Sequence, residues 1–174
     1  MGAQANHRRE DVVLSLAKET LRSFGEFRFV AWGSSMLPSV FPGDTLIVRH
    51  ETAETAPVGV IVLLARQGRL YAHRLVDKTQ ESGQLRLIVR GDALSSDDPP
   101  FAEDEVLGRV TAVIRRGRRI DLDGKSPAAT ERLLQWMVRR SESSAKWLLR
   151  WHSLRARLSP APASARDDIR REAA

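Results

Sequence analysis

A serine hydroxyl is a weak nucleophile at neutral pH and attacks a carbonyl only when a base lies within hydrogen-bond reach. The stretch GSSMLPSVFPGD, residues 33–44, carries two adjacent serines, Ser34 and Ser35, on a corner with two prolines and a PGD turn. Proline donates nothing to a sheet ladder, so this is not a core strand. A linker has no need of such stiffness. The pattern suits a side chain held at a fixed angle, and a base must then be found elsewhere. Four histidines are available. His7 lies in the N-terminal arm and His152 in a basic C-terminal stretch, while His50 ends an apolar run beside Glu51. His73 stands in YAHRLV between apolar neighbours, where burial and partners set its tautomer. Such a histidine is oriented by a third group, usually a carboxylate. RGDALSSDDPP offers Asp92, Asp97 and Asp98 after the next expected strand. A hairpin between the two strands brings that turn back near the start of the strand that carries His73.

The elements that must position these residues are legible as changes of period. DVVLSLAKETLRSF, residues 11–24, spaces Val12, Val13, Leu16, Ala17, Leu21 and Phe24 as a helix, with Asp11 as N-cap and Gly25 as stop. From Glu26 onward short alternating runs follow: FRFVAW, TLIVRH, VGVIVLLA, RLYAHRLVDK, LRLIVRGD, EVLGRVTAVIRR and RRIDL. Turn signals separate them at Gln67-Gly68, ESGQ and Gly117. The division is therefore an arm and helix over 1–25 and a mainly β domain over 26–122. Basic amphipathic helices follow over 126–158, with Trp147, Trp151, Leu154 and Leu158 on one face, then a disordered tail over 159–174.

Composition narrows the function. The chain has 174 residues and 42% hydrophobic content, enough for one domain with a core. Its 28 Lys and Arg against 22 Asp and Glu suit an anionic partner, membrane surface or nucleic acid. The absence of cysteine removes disulfides, thiol nucleophiles and thiolate metal sites. No group has metal-ligand spacing and no glycine loop cradles phosphate, so neither metal nor cofactor is expected. The N-terminus lacks the apolar stretch of a signal peptide. The longest apolar run, APVGVIVLLA from Ala56 to Ala65, is about half of the roughly 20 residues that cross a bilayer. It reads as a buried strand, and the expected location is cytoplasmic or peripheral to a membrane.

GSSMLP, PGD, AHR and RGDALSSDD, in this order and spacing, resemble the sequence boxes of the type I signal peptidase family, whose β fold is shared with self-cleaving SOS repressors. The boxes lie between residues 33 and 98. His73-Arg74 stands where one branch of that family has lysine before arginine, so the resemblance is to the Ser–His branch typical of archaea and the endoplasmic reticulum. It implies a signal-peptidase-like β domain, with Ser35 as nucleophile and His73 as general base. Asp98 is then the best-matching acid, Asp97 its alternative, and Asp92 a structural or orienting acid. Gly33, Ser34, Met36 and Pro38 become turn and oxyanion support, Met36 as a wedge beneath the site, and Arg74 a brace for one of the acids. Two departures stand out. Gly33 replaces a serine that often assists the oxyanion hole, and Ala93-Leu94 replace the usual asparagines. No stretch of this sequence is expected to serve as the family's membrane anchor.

The reading is a serine endopeptidase that cuts extended peptides after small residues, with its C-terminal helices on an anionic membrane surface. Nucleic acid is not favoured. Two alternatives compete: a binding module of peptidase fold without turnover on membrane or nucleic acid, and a self-processing regulator of repressor type. The latter is weakened by the absence of a DNA-binding domain and of lysine beside Arg74. Each residue also has an inert reading, with Ser35 as a turn former, His73 as a half-buried strand residue and the aspartates as caps.

Overall fold

The computed structural model describes residues 2–122, with side chains from Val12 onward; the helices expected over 126–158 and the tail over 159–174 lie outside the described residues. Helix α1 spans Gly2–Phe24 and starts well before Asp11, which is an interior residue and not the N-cap. Nothing between Gly2 and Asp11 breaks a helix, and Ala, Gln, Arg and Glu in that stretch favour one. Gly25 ends it in the left-handed region (φ 69°), donating to Leu21 O at 2.9 Å. The buried face is Leu14, Ala17 and Leu21. Val12, Val13, Leu16 and Phe24, expected on the same face, are exposed.

Among the described residues eight strands follow: β1 (Glu26–Val30), β2 (Thr45–His50), β3 (Ile61–Arg66), β4 (Arg69–Glu81), β5 (Gln84–Arg90), β6 (Phe101–Ala102), β7 (Val106–Arg115) and β8 (Arg118–Asp121). They form one antiparallel sheet in the order β1-β2-β7-β3-β4-β5-β6, with β8 also paired to β7. Three hairpins use the same device. Gln67-Gly68, Ser82-Gly83 and Arg116-Gly117 all take positive φ (52° and 76°, 52° and 76°, 53° and 74°), the two-residue turn that matches strand twist. The result is a mainly β antiparallel domain with one N-terminal helix.

Two readings of strand extent differ from the sequence expectation. The apolar run from Ala56 does not start a strand until Ile61, because Pro57 and Gly59 (φ 98°) build a turn first. The two-residue β6 and the 3-10 turn Glu103–Glu105 were not expected, since neither is long enough to show a period.

Strand β3 explains how the sheet builds its core. Ile61, Leu63 and Ala65 enter one cluster with Leu21, Met36, Leu46 and Val110. Val62 and Leu64 enter a second cluster with Leu75, Leu87, Val89 and Phe101. A strand buried on both faces reads as unbroken apolar sequence, as this one does. Each fully buried Leu or Ile contributes roughly 2–3 kcal/mol relative to exposure. The central strands are thus a firm base for residues at their ends.

Candidate active site

The 33–44 corner closes on itself. Ala31 N–H donates to Asp44 O at 2.8 Å and Gly43 N–H to Ala31 O at 2.9 Å. Inside it, Leu37 N–H reaches Ser34 O at 3.2 Å and Val40 N–H reaches Met36 O at 2.9 Å, and the Leu37–Pro38 peptide is cis. Met36, Leu37, Val40 and Phe41 are buried beneath the bend. Met36 and Val40 join the first core cluster, so Met36 is the expected wedge. Packing below leaves the preceding residues above: Gly33 and Ser34 are exposed and Ser35 is half-buried.

Ser35 Oγ lies 3.0 Å from His73 Nε2. His73, on β4 and only 7% exposed, also places Nδ1 against the Asp98 carboxylate. With Asp98 ionised, Nδ1 is the donor, which leaves Nε2 to accept the Ser35 proton. Backbone bonds fix the flanks of this chain. Asp98 N–H donates to Val89 O on β5 at 2.9 Å, and Ala93 N–H donates to Ser35 O at 2.8 Å. The close approach behind Ser35 requires Gly91, because a Cβ there would stand 2.7 Å from Ser35 O. The β4–β5 hairpin, with Arg74 opposite Arg90, returns the 91–98 turn to His73 as expected.

The other two aspartates of this turn go elsewhere. Asp92, 1% exposed, has its oxygens taken by Arg74 Nε at 2.7 Å and Nη2 at 2.6 Å, and Ser39 Oγ also donates to it. Arg74 Nη1 donates further to Gly59 O at 2.6 Å. Arg74 braces an acid as expected, and that acid is Asp92. Asp97 pairs with Arg90 at 3.2 Å. At the far end of the corner, buried Asp44 accepts Phe41 N–H at 2.8 Å and Arg115 Nη2 at 2.7 Å, and Arg115 also donates to Ser39 O at 3.0 Å. Ser39 is thus held by two arginine–aspartate pairs from different strands. This is the physical answer to why the corner is stiff.

A cavity of about 590 Å³ opens beside Ser35 and His73, lined mainly by apolar side chains including Phe29, Trp32, Met36, Leu70 and Tyr71. Trp32 is 84% exposed beside Gly33, whose φ of 131° favours glycine. His50 lies at a different cavity with Glu51, Glu54 and Glu103. Among the described residues no group of three His, Asp or Glu is placed to hold a metal ion.

Sequence reasoning missed Ser39, Gly91, Arg115, Arg66 and Glu105. Arg66, at the end of β3, donates to Glu105 from Nε and Nη2, both at 2.6 Å. That hydrogen bond pushes the Arg66 guanidinium above its ordinary value and holds the Glu105 carboxyl below the usual range. No spacing rule flags a contact between residues so far apart in the chain.

The described residues thus form an antiparallel β domain in which a serine, a histidine and an aspartate lie in one hydrogen-bonded line. Residues 2–111 match the family described as Peptidase S24-like, and the chain belongs to that family. It takes in signal peptidases, self-cleaving repressors and other self-cleaving proteins. No curated protein gives a significant match. Among the described residues no helix is long and apolar enough to cross a membrane.

Proposed function

We propose that this chain is a serine-type endopeptidase of signal-peptidase kind, acting through Ser35, His73 and Asp98. One observation carries the reading: Ser35 Oγ, both ring nitrogens of His73 and the Asp98 carboxylate form one continuous hydrogen-bonded chain beside an open apolar cavity. Ser35 Oγ attacks the scissile carbonyl carbon while its proton passes to His73 Nε2. Asp98 stabilises the imidazolium at Nδ1. As the tetrahedral centre collapses, the C–N bond breaks and His73 returns the proton to the leaving amine. Water, deprotonated by His73, then releases the acyl group from Ser35. Backbone N–H groups at the bend, Ser35's own among them, stabilise the oxyanion, each donor contributing roughly 3–4 kcal/mol.

Asp92 takes a structural role in this reading and Asp97 an auxiliary one. Strand β1 stands at one end of the sheet order, and Phe29, Val30 and Trp32 line the cavity, which suits an extended peptide laid along that edge. The likeness of the sequence boxes to the Ser–His signal peptidases supports small side chains one and three residues before the cut. The basic stretch 126–158 serves as a reversible contact with anionic lipid. The Peptidase S24-like family also takes in self-cleaving proteins, which makes self-processing the second reading.

The test is a peptide library with small residues at those two positions, incubated with the protein and with Ser35→Ala, and read by mass spectrometry. Serine-dependent cleavage after small residues supports the endopeptidase. Cleavage only within the protein's own chain supports self-processing. Peptides cut equally by both preparations overturn the reading.

A further inference from the structure

We infer that Arg66 is a positioning residue that keeps Asp98 on His73, acting from outside the hydrogen-bonded line. The inference rests on the peptidase reading for its effect on rate, and on geometry alone for its effect on the Asp98–His73 bond. Asp98 is tied to β5 by one backbone bond, its N–H to Val89 O at 2.9 Å, but the segment that follows it has little sheet of its own to hold it. After Asp98 come Pro99 and Pro100, which donate no backbone hydrogen bond, and then β6, which pairs with β5 through only Phe101 and Ala102. Arg66 fills that gap. Its Nη1 donates to Pro99 O at 3.2 Å and its Nη2 to Pro100 O at 2.7 Å. The same guanidinium is bound by Glu105, whose carboxylate also accepts Ala102 N–H at 2.7 Å. One arginine and one glutamate therefore clamp the segment from 99 to 105 at both ends.

The clamp also reaches the histidine through rings. The Arg66 guanidinium lies 3.7 Å from the centroid of buried Phe101. Phe101 meets Tyr71 edge-on at 6.1 Å, and Tyr71 meets His73 edge-on at 6.3 Å. Arg66 and Tyr71 leave the same β3–β4 hairpin that carries His73. Acid and base are thus referred to one rigid unit: His73 by covalent chain, and the Pro99-Pro100 segment directly after Asp98 by Arg66, in addition to the bond from Asp98 N–H to Val89 O. A guanidinium is suited to this because its fork serves a carboxylate and two carbonyls at once, whereas an ammonium is a point donor.

Three variants test this on the full chain: Arg66→Ala, Arg66→Lys and Glu105→Gln, each confirmed as folded by circular dichroism. The direct readout is the low-field proton resonance of His73 Nδ1–H donated to Asp98, assigned by its loss in Asp98→Asn. It should vanish or broaden in Arg66→Ala, weaken in Arg66→Lys, and shift in the milder Glu105→Gln, which keeps the arginine. The second readout is the rate at which a fluorophosphonate probe labels Ser35. Misplacement of a catalytic group by about 1 Å lowers rates on the order of 100-fold, and Arg66→Ala should approach that loss. Adding Arg66→Ala to Asp98→Asn should cause no further loss, since both act on one bond. A resonance unchanged in folded Arg66→Ala overturns the inference, as does full additivity in the double variant. If the resonance behaves as stated but Ser35 is never labelled, the clamp stands and the peptidase reading fails.

Discussion

Two clusters in this protein are built from matching parts. One joins Ser35, His73 and Asp98; the other joins Ser39, Arg74 and Asp92. The serines share one corner, the two basic residues are neighbours on β4, and the aspartates share one turn. The difference is the basic residue. Arginine keeps its charge at any accessible pH and offers only donors, so Asp92 is bound by a fork that cannot release a proton. Histidine gives one nitrogen to the acid and the other to the hydroxyl, and can change protonation in between. The first cluster can move a proton and the second can only hold position. Their adjacency is itself useful: the brace sets the corner on which Ser35 stands.

Variants that exchange or remove the basic residues should separate the two roles most strongly. His73→Ala should lower peptide cleavage by about 10⁶-fold with the fold intact, and its effect should not add to that of Ser35→Ala. His73→Lys should restore little, because Asp98 beside the new ammonium favours its charged form. Circular dichroism with a cleavage assay checks both. Equal losses from His50→Ala would break the comparison.

Among the aspartates, Asp98→Asn should lower cleavage on the order of 10⁴-fold with little change in stability. Asp92→Ala should instead destabilise by about 3–5 kcal/mol, since it leaves Arg74 partly buried without its charge partner. Urea denaturation and cleavage, measured on both, should give opposite rankings.

A smaller effect concerns acid. The Glu105 carboxyl is held below its usual range mainly by the hydrogen bond from Arg66. A depressed folded-state value means that the stabilising contribution is present above the ordinary Glu range and fades as pH falls through the depressed value. Glu105→Gln should therefore reduce stability at neutral pH and flatten its decline in acid. Denaturation midpoints between neutral pH and about pH 3 test that sign. Smallest of all, Asp97→Ala should change stability by less than about 0.5 kcal/mol, because its pair with Arg90 is exposed on the aspartate side.

How much of this was legible in the sequence differs by length scale. The hairpins were plain because Gln67-Gly68 and Gly117 sit between alternating runs. The turn carrying the aspartates was placed correctly because a hairpin fixes where its second strand ends. The pairing of Asp98 with His73 and of Asp92 with Arg74 was not decided by spacing, since both acids follow β5 closely and either was within reach. What separated them was Val89 O holding Asp98 N–H and the fork of Arg74, contacts across strands that no local pattern encodes. The helix face was misread for a related reason. Val12, Val13 and Leu16 are as apolar as Leu14, and only the position of the sheet selects which stripe is buried.

If His73 makes Ser35 nucleophilic, a covalent serine probe detects it without knowledge of the substrate. The protein should be incubated with a fluorophosphonate at neutral pH, digested and mapped by mass spectrometry. A single adduct on Ser35, lost in His73→Ala and retained in Asp97→Ala, is the predicted result. No adduct on Ser35, or one that forms equally in folded His73→Ala, would contradict the account.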